Sequence, residues 1–184
     1  MYHHGNLRRE ILEAALAATE ESGPANWSLR ELSRRAGVSH TAPVHHFGDK
    51  TGLLTAIAAE GFALFADELE AVVDDFFEVG VAYIRFAVSH RAYFEVMFRP
   101  ELYRTEDPEV VAARERARQI LLAGSRGLAP TPQQQRAVTL AAWSTAHGFA
   151  SLWLSGALTE SADGDAETVG RQALEAALGH LRRG

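Results

Sequence analysis

Ser28, Arg30, Ser39, His40, Thr41, His45 and Lys50 put hydroxyls, imidazoles and cations into one 23-residue stretch, SLRELSRRAGVSHTAPVHHFGDK. Short hydroxyl and imidazole side chains can touch base edges in a groove, while cations and the amides of a helix start hold phosphates. The chemistry offered is recognition of a polyanion. Bond-making chemistry has no counterpart: the chain holds no Ser/His/Asp or Cys/His grouping and no glycine-rich phosphate loop, and its carboxylates fall mostly on solvated helix faces. An enzyme is therefore not expected. With no cysteine there are no disulfides and no thiolate metal sites, and the adjacent His3 and His4 lack a third ligand, so neither metal nor cofactor is expected.

Two short helices around a tight turn must position these residues. Ser28 and Glu31 have capping-box spacing, with Trp27 and Leu32 at staple positions. Leu29, Leu32 and Ala36 recur at helical spacing, and Gly37 falls where the helix must stop in a left-handed conformation. Val38 plugs the space between the helices. Ser39 then suits the N-cap of a second helix that carries His40, Thr41 and His45 outward. Pro43 disfavours helical geometry at Ala42 and removes an amide donor, so this second helix should be short and tight at its start. Asp49 is a natural cap for the following helix, where Lys50, the one lysine in the chain, and the first amides could grip a phosphate together. The pattern is a helix-turn-helix, whose second helix enters a major groove.

S-L-R-E-L-S-R-R-A-G-V-S followed by H-H-F-G-D-K resembles the DNA-binding domain of the TetR/AcrR family of bacterial regulators, over roughly the first quarter of the chain and without a gap. Val44 departs from the family pattern, in which most members carry a tyrosine resembling a phosphate contact; one backbone clamp is thereby missing. Pro43 is shared by several members. The resemblance implies that Phe47 is core and that His46 is structural, close to neighbouring helices.

Of the chain's 18 basic and 24 acidic residues, six of each lie in residues 1–50, leaving twelve against eighteen in the remainder, so the net charge of -6 is carried outside the reading head. Charge on one face rather than the total governs attraction to nucleic acid. Five of the eight histidines also lie in the first fifty residues. A length of 184 residues with 47% apolar content is ample for a buried helical core. Without a signal sequence or a long uncharged apolar run, a soluble cytoplasmic protein is expected.

Residues 1–6 precede any helical pattern and read as a flexible arm. From Leu7 an amphipathic helix runs to about Gly23-Pro24. A long helix follows from Leu53 to about Val73. The segment Phe76–Val88 is apolar almost all round and reads as the central helix of a bundle. After a break at His90–Ala92, a short aromatic helix closes at Pro100. Further helices are expected over Glu109–Ala123, from Thr131-Pro132 to Leu154, and over Val169–Leu181, with loops at 101–107 and 124–133 and a connection at 161–165. The total is about nine helices with no strand pattern: an all-α fold with a three-helix head at residues 1–50 and a helical bundle at 51–184.

The next-to-last helix is apolar on both faces and the last carries a small-residue stripe, so a partner chain is the economical cover. Trp143-Ser-Thr-Ala-His147-Gly148 and Met97-Phe98-Arg99-Pro100-Glu101-Leu102 resemble a C-terminal ligand-binding domain on one branch of the same family. There the last two helices pair with their copies, which implies Trp143, His147, Ala150, Leu174, Leu178 and Leu181 as dimer-interface residues. His147 in an apolar stripe reads as a hydrogen-bonded core histidine rather than a metal ligand. Aromatic density marks Tyr83, Phe86, Tyr93, Phe94 and Phe98 as pocket candidates for a small apolar or amphipathic effector. The reading is a ligand-responsive, homodimeric regulator of transcription, most simply a repressor, that binds a palindromic operator in double-stranded DNA. The alternative is a helical small-molecule or partner-binding module that no longer binds DNA.

Overall fold

The computed structural model describes residues 4–126, 128–158 and 164–182, and every regular element among them is helical. In chain order the helices are α1 (His4–Ser22), α2 (Leu29–Arg35), α3 (Ala42–Phe47), α4 (Lys50–Glu70), α5 (Phe76–Ser89), α6 (Arg91–Met97), α7 (Pro108–Gly124), α8 (Pro132–Leu154) and α9 (Ala166–Leu178), with 3₁₀ turns at Pro100–Leu102 and Gly179–Arg182. No helix among the described residues is long and apolar enough to cross a membrane.

The chain divides into two compact units, Met1–Phe62 with Arg91–Ala113, and Ala63–His90 with Arg114–Gly184. This differs from the boundary at residue 50 expected from composition. The reason is polar stapling in the first unit. Arg9 on α1 pairs with Glu60 on α4 at 2.6 Å, and Glu60 also accepts a hydrogen bond from the Tyr93 hydroxyl on α6. The Thr55 hydroxyl accepts from the Arg104 amide at 3.0 Å, and the Arg104 guanidinium pairs with Asp49 at 2.9 Å. Gly61 allows the close approach of α6, since a Cβ there would stand 2.8 Å from the Met97 sulfur and 3.1 Å from the Tyr93 ring. Sequence patterning sees apolar stripes; it does not see which stripe α6 closes.

In the second unit α5 is the central helix, as its composition requires. Phe77, Val79, Val81, Tyr83, Ile84 and Phe86 are all buried, and α5 packs on both α8 and α9. Each such side chain contributes about 1.5–3 kcal/mol through burial, which is why a helix lacking a polar face is stable only inside a bundle. Asp75 caps its start, accepting from the amides of Phe77 and Glu78 at 2.9 and 3.2 Å. Arg171 on α9 pairs with Glu78 on α5, one of its contacts measuring 3.0 Å.

Several boundaries differ from those read in the sequence. α1 already includes His4, within the expected arm of residues 1–6, and residues 1–3 lie outside the described residues. Gly5 costs about 1 kcal/mol against alanine, and nothing else there resists propagation of the helix. α9 begins at Ala166 rather than Val169, because the Asp165 carboxylate accepts from the Thr168 amide at 2.8 Å and so caps it. Most of the expected connection, residues 161–163, falls outside the described residues.

Candidate nucleic-acid interface

The capping chemistry of Ser28 forms by half. Its hydroxyl accepts from the Glu31 amide at 3.3 Å, but the Glu31 carboxylate turns to Arg35 at 2.7 Å instead of reaching back to the cap. Arg35 also reaches Glu21 on α1 at 2.6 Å, which locks α2 to α1. Leu32 is fully buried and Trp27 nearly so, its indole donating to the Thr19 hydroxyl at 3.0 Å. Gly37 has φ +66°, the left-handed turn the sequence calls for.

α3 is short, as Pro43 demands, and starts one residue pair later than a Ser39 cap would place it. Thr41 stands at the N-cap without a side-chain cap bond, while the Ser39 and Thr41 hydroxyls lie 3.2 Å apart in hydrogen-bond contact. Pro43 in the first helical turn has no amide to satisfy there. Ala42, Pro43 and Phe47 face inward. His40, Thr41, Val44 and His45 are all exposed, Val44 at 52%, and their spacing of one, three and one residues puts them on a single face. That face carries two imidazoles, a hydroxyl and three methyls. Arg8 lies over the Phe47 ring at 4.9 Å, fixing α3 against α1, and the His46 ring packs edge-on to His45 at 5.3 Å.

Arg30 and Arg34 are exposed and have no ion-pair partner among the described residues. They stand one helical turn apart, so they share the outer side of α2. Arg34 was not singled out in the sequence, although its spacing of four from Arg30 was a readable signal. Lys50 has a different setting from the one read there. Its ammonium donates to the carbonyls of Ala25 at 3.0 Å and Trp27 at 2.7 Å, and it lies 4.2 Å from the centre of the Trp27 ring. Burial holds its pKa below the ordinary lysine value. Asp49 caps α4 through the Gly52 amide at 2.6 Å, as expected. Lys50 thus ties the loop before α2 to the start of α4 instead of pointing its charge away from the protein.

The five rings expected to form a pocket fall in two different units. Tyr93, Phe94 and Phe98 belong to the first unit, where Phe98 packs on Phe94 at 5.0 Å and on Phe62 at 6.2 Å. Phe86 is fully buried in the second unit against Phe65 at 5.0 Å. Tyr83 borders a small apolar cavity within the second unit whose wall includes Phe77, Gly80, Ala146, Leu174 and Leu178. The Trp143 indole donates to the Tyr83 hydroxyl at 3.1 Å, and that hydroxyl is hydrogen-bonded to His147 Nδ1 at 2.8 Å. Burial lowers the His147 pKa and raises that of Tyr83 well above the ordinary phenol value, so both are neutral near pH 7.

The expected dimer residues divide. Leu174, Leu178 and Ala150 are buried within their own chain, the two leucines against the cavity. Leu181 is half-buried in the final 3₁₀ turn, and His147 is half-buried on Tyr83. Leu140 at 58% and Leu152 at 49% are exposed on the outside of α8, whereas Trp143, 41% exposed, stands nine residues from Leu152 and so on the opposite flank of the helix. Ala137, Ala141, Ser144 and Ser151 are exposed on the same helix, and at Gly148 an added Cβ would meet nothing within 4 Å. This uncharged outer stripe of α8 was not resolved from its inner stripe by sequence alone.

Comparison with known proteins gives two family matches. Residues 11–57 match "Bacterial regulatory proteins, tetR family", and residues 76–177 match "Tetracyclin repressor-like, C-terminal domain". The HTH-type transcriptional repressor AcnR of Corynebacterium glutamicum is 42% identical over 62 residues, 34% of this chain and 33% of AcnR. The chain thus aligns with about a third of the length of that curated relative. A protein of unknown function from Rhodococcus sp. RHA1 is 30% identical in its solved structure, with a TM-score of 0.78 over 99% of this chain and 96% of its own. The TetR family regulator PfmR of Thermus thermophilus shares the fold at 23% identity, with a TM-score of 0.65 over 91% of this chain and 96% of PfmR.

Proposed function

The chain belongs to the TetR family of bacterial regulatory proteins, and on that premise we propose that it is a homodimeric, ligand-responsive transcription regulator, acting as a repressor at a palindromic operator. The observation that carries the reading is the single exposed face of His40, Thr41, Val44 and His45 beside two unpaired arginines. His40, Thr41 and His45 supply hydrogen bonds for base edges, and the Val44 methyls suit the C5-methyl group of a thymine. Arg30 and Arg34, with Ser28 and Ser39, hold phosphates, which fixes register without reading sequence. Lys50 acts from behind, holding the loop that sets the start of α2.

The outer stripe of α8 is the proposed seam between two chains. Leu140 and Leu152, with Ala141 and Gly148 between them, would otherwise leave an apolar face in water. Two recognition helices must then stand about 34–36 Å apart to enter successive major grooves, and a ligand that favours another spacing lowers DNA affinity by linkage. A coupling of about 1–3 kcal/mol is sufficient for several-fold switching and cannot exceed the ligand's preference between the two states. A cytoplasmic location goes with this reading. A gel shift with the purified protein on the DNA flanking its own gene tests it. A discrete complex that outlasts excess random duplex is the expected result, and binding no stronger than to random duplex would overturn the proposal.

A further inference from the structure

Between Arg35 and Lys50, residues 36–49 contain three histidines and no lysine or arginine. The one acid there, Asp49, is paired with Arg104 and caps α4, and Lys50 directs its ammonium to the carbonyls of Ala25 and Trp27. The face offered to a groove therefore carries no fixed positive charge of its own. His40 and His45 are exposed on it, while His46 is half-buried, edge-on to His45. Imidazole is the one side chain whose charge ordinarily changes between pH 5 and 8. Against α3 pack α1 and α2. α1 opens with His4 and brings Arg8, over the Phe47 ring, and Glu21, which Arg35 of α2 holds together with Glu31. Its other acids are Glu10, Glu20 and Glu13, the last paired with Arg9. α2 adds the exposed Arg30 and Arg34. Carboxylates and guanidinium groups as classes keep their charge through pH 6–8, so histidine alone changes the charge of this head there.

We propose that His40 and His45 take up protons as this face meets DNA, so that operator binding is coupled to pH. A groove walled by phosphates favours the charged imidazole, as any nearby opposite charge does. Charged, each ring donates from both nitrogens, to phosphate oxygens or to the N7 and O6 acceptors of guanine; neutral, it donates from one. Because the charged form is favoured in the complex, its contribution to affinity is fully present at low pH and is lost as the pH rises. Arg30 and Arg34 supply the part of the affinity that pH leaves alone. This regulation rests on the operator reading above for the duplex it invokes.

Anisotropy titrations of the full chain with the duplex flanking its own gene, at pH 6, 7 and 8 and fixed ionic strength, test it. Binding should be at least about tenfold weaker at pH 8 than at pH 6, the change expected for one proton taken up per complex and one pH unit. The slope of log affinity against log salt should also be steeper at pH 6, where more cations meet phosphates. The pair His40→Gln and His45→Gln should bind weakly at every pH, and the pair His40→Arg and His45→Arg should bind at pH 8 as it does at pH 6; circular dichroism at both pH values confirms that each is folded. A parent affinity that does not change with pH, or a glutamine pair that keeps the parent's response and so places the protons on His4, His46 or elsewhere, overturns the proposal. A chain that shifts this duplex equally at pH 6 and 8 refutes only the coupling. One that tightens on random duplex as much as on the flanking DNA refutes only the operator, and one that binds no duplex at either pH overturns both.

Discussion

Replacing Lys50 by methionine keeps the aliphatic stem over Trp27 and deletes the ammonium, which isolates the two bonds to the carbonyls of Ala25 and Trp27. Hydrogen bonds from a charged donor contribute about 1.5–3 kcal/mol each when well buried, and a cation over an indole roughly 0.5–1 kcal/mol at an exposed site. Lys50 is only half-buried, so solvent screening lowers the total, and a loss of about 1–3 kcal/mol is expected. For a chain of this size, each kcal/mol moves the melting temperature by roughly 2–4 °C. Lys50→Met should therefore melt several degrees earlier and bind all duplexes somewhat more weakly, with an unchanged dependence on salt. Arg30→Ala should do the opposite: the melting temperature holds, and the slope of log affinity against log salt shrinks by about 0.9. Thermal melts paired with anisotropy titrations at several salt concentrations read both quantities. If Lys50→Met melts with the parent and loses one unit of salt slope, Lys50 is a phosphate contact and the role given to it here is wrong.

Three further substitutions probe other parts of the chain. Leu178→Glu should unfold the second unit, because Leu178 is buried in its own chain, whereas Leu152→Glu should leave a folded monomer; sedimentation with circular dichroism tells them apart, and a folded monomer from Leu178→Glu would return that residue to the seam. Thr41→Ala should cost about 1–3 kcal/mol at one base pair and little elsewhere, as read by titrating a panel of single-base operator variants. Val44→Tyr, which restores the family residue, should tighten operator and random DNA together if the ring reaches the backbone, and should erase any preference for thymine that Val44 supplies. For His147, burial lowers the folded-state pKa below the ordinary value of 6.5, so the unfolded chain binds more protons in that window. Stability is then full above about pH 6.5, falls as the pH drops through it, and levels off below the depressed folded value. His147→Gln should flatten that decline in melts between pH 7.5 and 5, and a parallel decline would exclude His147 as its source.

The helix-turn-helix was legible because its determinants are local. A serine cap, a glycine in the left-handed region and a proline in the first turn act within a few residues of themselves, and all three appear where the spacing puts them. The contacts of Lys50 were not legible for the complementary reason: its partners are backbone carbonyls twenty-five and twenty-three residues away, and a carbonyl leaves no mark in a sequence. The pocket failed on a similar ground. Aromatic density located rings but not the packing that sends Tyr93, Phe94 and Phe98 to one unit and Tyr83 and Phe86 to another. Leu174 and Leu178 show the limit of an amphipathic stripe, which demands cover without saying whether the cover is the same chain or a second copy. The outer face of α8, with Leu140 and Leu152, was hidden by the apolar inner face of the same helix.

Selection of bound duplexes from a random library, followed by sequencing, bears most directly on the claim that this chain reads DNA as a dimer. Two half-sites related by a two-fold axis, with centres one helical turn of about 10–10.5 base pairs or a multiple apart, should be enriched by the parent chain. The enrichment should change at one symmetric pair of positions for Thr41→Ala and disappear for a chain monomerised by Leu152→Glu. A library that emerges unenriched, or enriched in a single unpaired site that ignores both substitutions, would contradict it.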